Sequence, residues 1–231
     1  MTIRDFTEIA GETCCIIPMY NEEKVIVDVI AGLKSFFPHV LCIDDGSSDK
    51  SALLAEKAGA KVLRHSLNIG QGASLATGFQ WVQQNREFLY MITFDADGQH
   101  RPEDACQLVT ELSNKGMDVV FASRFFEPTQ STVPTVKRLL LRTVTKITNT
   151  LTDSQLSDAH NGLRALTVDA SRSICITQNG MAHASQFVSL VRQANLKYTE
   201  LPVTVLYTKY SRSKGQSLMN GINIALDLIW E

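Results

Sequence analysis

A chain of 231 residues, 44% hydrophobic and 20% charged, has the make-up of one folded domain and not of a disordered or fibrous protein. A formal net charge of −2 excludes the broad basic field of a nucleic-acid binder, so any function that needs cations must gather them locally. No run approaches the ~18 apolar residues of a membrane-spanning helix, and the first twelve residues, with acids and no apolar core, do not read as a secretory signal.

Residues 13–18 read as a strand stopped by Pro18. A helix follows to about residue 37, with Asn21 as its N-cap and Glu22 and Glu23 in the first turn, where the helix dipole favours acids. Residues 40–43 make a second strand, 50–58 a helix and 61–64 a short third strand. A loop over 68–72 leads into a helix over 73–85. A strand over 90–94, a helix over 102–115 and a strand over 118–122 complete this half. Prolines and polar residues make 125–135 a loop. The helix expected over 136–151 carries an apolar stripe of Leu140, Val144, Ile147 and Leu151 and a basic one of Arg138, Arg142 and Lys146. Beyond it lie an apolar segment over 163–166, a helix over 182–194, a strand over 203–207 and an apolar-rich helix over 217–231. Strands alternating with helices at this spacing predict an α/β domain with a mostly parallel sheet covered on both faces. No linker divides 1–231, so the chain reads as a single domain. Cys14, Cys15, Cys42, Cys106 and Cys175 lack Cys-x-x-Cys spacing and sit among apolar neighbours, which predicts reduced, buried thiols in a cytosolic protein.

Ligands on such sheets bind at the carboxyl ends of the strands, and every polar motif of the first half falls at such an end. The run Met91-Ile92-Thr93-Phe94-Asp95-Ala96-Asp97-Gly98-Gln99-His100 is the most informative. On an extended segment Asp95, Asp97 and Gln99 face one way. Three oxygen-bearing side chains there suit a hard divalent cation, Mg²⁺ or Mn²⁺. Asp44-Asp45-Gly46-Ser47 offers carboxylates to a base or ribose, and Asn68-Ile69-Gly70-Gln71-Gly72 permits close approach of a ligand to backbone. The latter is neither a Walker loop nor Gly-x-Gly-x-x-Gly. The local alternatives are capping by Asn21, an Asx turn at Asp44 and a surface turn at Asp95 and Asp97. His100 stands beside the metal motif, where a histidine can orient the ligands; His160 and His183 receive no role.

Together these residues resemble the family 2 glycosyltransferases of the GT-A fold, and among them the polyprenyl-phosphate sugar transferases of the dolichol-phosphate mannose synthase type. The resemblance rests on Pro18-x-Tyr20-Asn21-Glu22, Asp44-Asp45-Gly46-Ser47-x-Asp49, Asn68-x-Gly70-x-Gly72 and Asp95-Ala96-Asp97-Gly98-Gln99-His100-x-Pro102. It continues through Ser123-Arg124, Ser157-Asp158-x-x-x-Gly162-x-Arg164 and Tyr210-Ser211-Arg212-Ser213-Lys214. It implies a nucleotide-sugar-binding half over 13–124, an acceptor half over 125–216 and a helical C-terminal extension. It implies a substrate-binding set of Pro18, Tyr20, Asn21, Glu22, Asp44, Asp45, Gly70, Gln71, Gly72, Asp95, Ala96, Arg124, Arg138, Arg164, Arg212 and Lys214. Asp95, Asp97 and Gln99 would hold the cation, and Asp97, Asp158 and Arg124 would be catalytic. Two departures stand out: Gln71 where many relatives have lysine, and His160-Asn161 where small residues are common.

The expected reaction is metal-dependent, inverting transfer of a hexose from a UDP- or GDP-sugar to a polyprenyl phosphate, in cell-envelope glycan synthesis. The enzyme would be cytoplasmic and peripheral at the inner membrane face. A phosphate monoester with its second pKa near ~6 is already a nucleophile and needs cations more than a base. The second half of the chain supplies them, with Arg124 and Lys214 preferred over Lys146 and Lys209. The terminal helix or the basic stripe would meet a membrane or a small membrane-protein partner. The rival readings are transfer to a saccharide hydroxyl of a cell-surface glycan, a nucleotidyltransferase, and a non-catalytic nucleotide-sugar-binding subunit.

Overall fold

The computed structural model describes residues 4–126, 133, 135–180 and 182–206. In chain order the elements are α1 (Phe6–Gly11), β1 (Thr13–Met19), α2 (Ile26–Lys34), β2 (His39–Asp44), α3 (Ser51–Lys57), β3 (Lys61–Arg64), α4 (Gln71–Gln84) and β4 (Tyr90–Thr93). They continue with α5 (Pro102–Lys115), β5 (Val119–Ser123), α6 (Thr135–Thr152), β6 (Arg164–Thr167), α7 (Val168–Ser171), α8 (His183–Gln193) and β7 (Tyr198–Pro202). The strands form one sheet in the order β3-β2-β1-β4-β6-β5-β7. Strand β1 runs parallel to β2 and β4, β2 to β3, and β5 to β7; β6 is antiparallel to both its neighbours.

The alternation along β1 explains the layers. Cys15, Ile17 and Met19 face a core with Ile26, Ile30, Leu33, Leu108 and Leu112 from α2 and α5. Cys14 and Ile16 face the opposite core, with Leu75, Phe79 and Val82 of α4 and Phe187 and Val188 of α8. A strand buried on both sides must be apolar throughout, which is why β1 and β2 read as continuous hydrophobic runs. Each large apolar side chain so buried contributes ~1.5–3 kcal/mol. Helix α5 begins with proline, has Glu103 and Asp104 in its first turn and ends at Gly116 in the left-handed region, and its bounds coincide with the sequence expectation.

Several expectations are corrected. Asn21 does not cap α2, which starts at Ile26. Asn21 instead has φ 54°, and its Oδ1 accepts from the Ser48 amide at 2.9 Å while its own amide donates to Ser47 Oγ at 2.9 Å. These bonds tie the turn after β1 to the turn after β2. The last described strand is β7, not 203–207. Residues 203–206 leave the sheet because β5 ends at Ser123 and offers no further ladder partner. The Val203 amide bonds the Ser123 carbonyl and the Leu206 amide the Gln99 carbonyl, which carries this segment across the strand ends. Residue 207 and the helix expected over 217–231 lie outside the described residues. Leu151, placed in the apolar stripe of α6, is 64% exposed near the helix end. All five cysteines are free; Cys14, Cys15 and Cys42 are buried, but Cys106 is half-buried and Cys175 exposed.

Candidate active site

The ends of β1, β2 and β4 and the start of β6 open on one cleft of about 430 Å³, a volume suited to a small ligand. The antiparallel direction of β6 matters here. A parallel strand presents its carboxyl end to the site, whereas β6 presents its first residue, Arg164, beside Thr93 of β4 and Phe121 of β5.

Of the residues up to Gly72 expected to bind substrate, Pro18, Tyr20, Glu22, Asp45, Gly70 and Gln71 line the cleft. Asp45 is 3% exposed and its oxygens are engaged. Oδ1 accepts from the Ile69 amide at 3.1 Å and lies 2.8 Å from His65 Nδ1, and Oδ2 accepts from the Gly70 amide at 2.7 Å. Asp45 therefore shapes the 68–70 loop as well as facing the cleft. Three assignments fail on geometry. Asp44 is fully buried off the cleft, accepting from the Ser47 amide at 3.2 Å with Arg64 Nε 3.0 Å from its Oδ2. Asn21 is spent on the turn described above. Gly72 lies against the chain itself: its amide donates to the Asn179 carbonyl at 2.9 Å, and a Cβ there would stand 1.8 Å from the Gln178 carbonyl oxygen. A Cβ on Gly70 would meet the Asn179 carbonyl at 2.2 Å. These glycines admit the 178–180 backbone, so the close approach read from the sequence is intramolecular.

Asp95, Ala96, Asp97, Gln99 and His100 all line the cleft. They do not do so as an extended segment, because β4 stops at Thr93 and a turn follows. Asp97 Oδ1 accepts from the Gln99 amide at 3.0 Å and Oδ2 from Gln99 Nε2 at 2.7 Å. Asp95 Oδ2 lies 3.0 Å from His100 Nε2, and Oδ1 accepts from Gln71 Nε2 at 3.2 Å. Gly162 backs the Asp95 carboxylate so closely that a Cβ would sit 2.2 Å from Oδ2. Burial, then the neighbouring Asp95 charge, pushes the Asp97 carboxyl up to about 6. Burial opposes the Asp95 charge too, but the His100 hydrogen bond and the charges of His100 and Arg164 hold that carboxyl below its ordinary value. An oxygen-rich pair with one member disfavoured as an anion fits a hard divalent cation, which would reverse the penalty. Among the described residues no group of three histidine, cysteine or acidic side chains is placed to hold a metal; the oxygen-bearing side chains at this turn are those of Asp95, Asp97 and Gln99.

Arg124 lines the cleft, but Asp158 does not. Asp158 is fully buried and forks onto Arg124: Nε donates at 2.6 Å, Nη2 at 2.8 Å and the Arg124 amide at 3.0 Å. Burial would raise the Asp158 carboxyl, yet the Arg124 guanidinium holds it below the usual range. Asp158 thus positions Arg124 and does not line the cleft, which speaks against its assignment as catalytic. The sequence reading missed Glu200 on β7, whose carboxylate accepts from the Ser157 amide and hydroxyl and from the Asp158 amide at 2.8–3.2 Å. Nothing in the local pattern around Glu200 signals this, because the pairing spans more than forty residues.

Arg164 reaches the cleft as expected. Ser74, His160, Asn161 and His183 line it too without having been expected there. Burial lowers His160 and His183 to about 4, so both are neutral near pH 7. The His183 Nδ1 sits 2.7 Å from the Gly180 carbonyl and therefore carries the ring proton. Arg138 is exposed on α6 and does not line the cleft, and Arg212 and Lys214 lie outside the described residues.

Residues 14–175 match the profile of Glycosyl transferase family 2. The UDP-N-acetylglucosamine–dolichyl-phosphate N-acetylglucosaminyltransferase of Methanococcus voltae is 27% identical over 235 positions, 93% of this chain and 93% of its own. The polyprenol monophosphomannose synthase of Mycolicibacterium smegmatis is 27% identical over 222 positions, 92% of this chain and 82% of its own. The structure of Mycobacterium tuberculosis glucosyl-3-phosphoglycerate synthase with Mn²⁺, UDP-glucose and phosphoglyceric acid superposes with a TM-score of 0.68 at 16% identity, over 96% of this chain and 82% of that one, a likeness of fold. With the motifs in order on a GT-A sheet and the family profile spanning β1 to α7, the chain belongs to glycosyl transferase family 2 and is a glycosyltransferase.

Proposed function

We propose that this enzyme transfers one sugar, with inversion, from a UDP- or GDP-sugar to a polyprenyl phosphate at the cytoplasmic face of a membrane, with Mg²⁺ or Mn²⁺ held by Asp95, Asp97 and Gln99. The observation that carries the reading is the Asp95–Asp97 pair, facing the same cleft as Arg124 and Arg164, with Asp97 pushed to about 6 by burial and by its partner. Two relatives named for different sugars share a polyprenyl-type phosphate acceptor in their names.

When bound, the cation neutralises charge that develops on the departing nucleoside diphosphate. Pro18, Tyr20, Glu22 and Asp45 hold the nucleoside, and Gln71 steadies Asp95. Arg124, fixed in direction by Asp158, faces the acceptor phosphate; a phosphate dianion attacks without a general base, which agrees with an Asp158 already committed to Arg124. Residues 13–124 serve the donor and 125–216 the acceptor, with Arg212 and Lys214 assigned by motif alone. No helix of the described residues is long and apolar enough to cross a membrane. The exposed face of α6, with Arg138, Arg142 and Lys146 around a 69% exposed Leu139, is the proposed contact with an anionic bilayer.

The test is incubation with Mn²⁺, labelled UDP- or GDP-sugars and a short polyprenyl phosphate in detergent. A lipid-linked sugar monophosphate is the expected product, lost in Asp97→Asn. Transfer to an oligosaccharide hydroxyl but not to the lipid phosphate would overturn the acceptor, and full activity in Asp97→Asn would overturn the metal site.

A further inference from the structure

Asp45 follows β2 on the wall of the cleft, and its side chain keeps only 4% of its surface open. What that opening can bind depends on how many acceptor sites folding leaves free. A carboxylate offers about four lone-pair sites, shared equally between its oxygens. The Ile69 amide and His65 Nδ1 both reach Oδ1, at 3.1 Å and 2.8 Å. The Gly70 amide reaches Oδ2 at 2.7 Å. A carboxylate oxygen only accepts, so His65 Nδ1 carries the ring proton. No further donor among the described residues meets either oxygen. Oδ1 is therefore full, and Oδ2 keeps one acceptor site for a ligand in the cleft.

The donors that fill Asp45 are themselves held. His65 Nε2 lies 2.9 Å from Thr77 Oγ1 on α4, and the His65 amide donates to the Asp44 carbonyl at 2.9 Å. The loop that supplies the two amides packs on Gly46, whose φ is 73°. A Cβ on Gly46 would stand 2.8 Å from the Leu67 carbonyl carbon. The carboxylate cannot turn both oxygens to the cleft without losing its bonds to His65 and to the 69–70 backbone.

A covered carboxylate with one acceptor site left suits a base with one donor. Uracil presents a single N–H on its pairing edge, between two carbonyls. Guanine presents two adjacent donors, N1–H and the 2-amino group, which match both oxygens of a free carboxylate. Here Oδ1 is taken, so a guanine at Asp45 would leave one N–H without its partner. Resting on the nucleotide-sugar reading above, in which Asp45 meets the nucleoside, we infer that His65 is a positioning residue for base selection. By occupying Asp45 Oδ1 it leaves one acceptor and fits the cleft to a uridine diphosphate sugar over a guanosine diphosphate sugar.

Calorimetric titration of the intact chain with UDP and with GDP, in the presence of Mn²⁺, tests this. UDP should bind about tenfold tighter than GDP, or more, the effect of one unpaired donor. His65→Ala reopens Oδ1 and should shrink that preference to roughly threefold or less. His65→Asn, whose amide nitrogen can stand in for Nδ1, should restore it. Thr77→Val removes only the brace and should reduce the preference in a protein that keeps its imidazole, so the test survives poor folding of His65→Ala. A merely structural role for His65 would weaken both nucleotides alike and leave their ratio unmoved. GDP binding as tightly as UDP, or a UDP preference unchanged in both His65→Ala and Thr77→Val, overturns the selection. Binding of neither UDP nor GDP overturns the nucleotide-sugar reading itself, and the selection with it.

Discussion

Single side chains in the cleft divide by whether their chemistry or their partners decide their role. The position of Asp95 and Asp97 on the cleft was legible in the sequence because the pair ends an apolar run and falls in order with the other strand-end motifs. Asp44, Asp45 and Asp158 have the same functional group, yet two are structural and one is shared between loop and cleft, since each meets backbone amides or an arginine that only folding supplies. The two neutral histidines give a pH prediction. His183 is 4% exposed with its pKa lowered from 6.5 to about 4. Above pH 6.5 neither state binds the proton; as pH falls from 6.5 towards 4 the unfolded chain takes it up and the folded chain does not. Folding stability should therefore drop over that window, by about 3 kcal/mol once complete, and His160 acts in the same direction. Urea midpoints at pH 7 and pH 5 measure this, and His183→Gln should show a smaller drop. Equal drops in both proteins would refute the assignment.

Secondary elements position the site through contacts far apart in sequence. The turn before β6 brings Gly162 against Asp95, and Gly162→Ala should displace that carboxylate because its Cβ would fall 2.2 Å from Oδ2. Mn²⁺ affinity measured by calorimetry should weaken at least tenfold, while overpacking costs about 1–3 kcal/mol of stability. Parental Mn²⁺ affinity would show that Asp95 is not a ligand. On β7, Glu200 holds Ser157 and Asp158, and Ser157 Oγ lies 2.6 Å from Ser123 Oγ, next to Arg124. Glu200→Gln keeps one acceptor oxygen and should cost about 1–2 kcal/mol. Turnover should fall with nucleotide affinity unchanged, since the chain of contacts ends on Arg124, the arginine proposed to face the acceptor. An equal loss of nucleotide binding would mean a general structural defect.

The whole molecule turns one helix outward. Helix α6 packs Val144 and Thr148 inward and leaves Arg138, Arg142 and Lys146 exposed, with the Arg142 guanidinium 5.4 Å above Phe125, the neighbour of Arg124. Docking on an anionic surface by this face would bring the membrane near the acceptor side of the cleft. Replacing the three cations by glutamine should weaken sedimentation with anionic vesicles by about 3 kcal/mol, roughly 100-fold, at ~1 kcal/mol per charge. Binding to neutral vesicles should not change, and high salt should mimic the substitutions. Unchanged anionic-vesicle binding would place the contact elsewhere.

The α/β class, the bounds of α5 and the order of motifs along the chain were determined by local physics: hydrophobic period, proline and glycine at helix ends, and acids where a strand ends. Family membership followed from the same residues. Tertiary structure decided what no window of sequence contains. It ran β6 antiparallel so that Arg164 arrives at the site by its start, moved the last described strand to 198–202, spent Gly70 and Gly72 on the 178–180 backbone and gave Asp158 to Arg124. Local preferences act within a few residues, whereas hydrogen-bond partners, burial and charge pairing are set by which distant segments the core brings together.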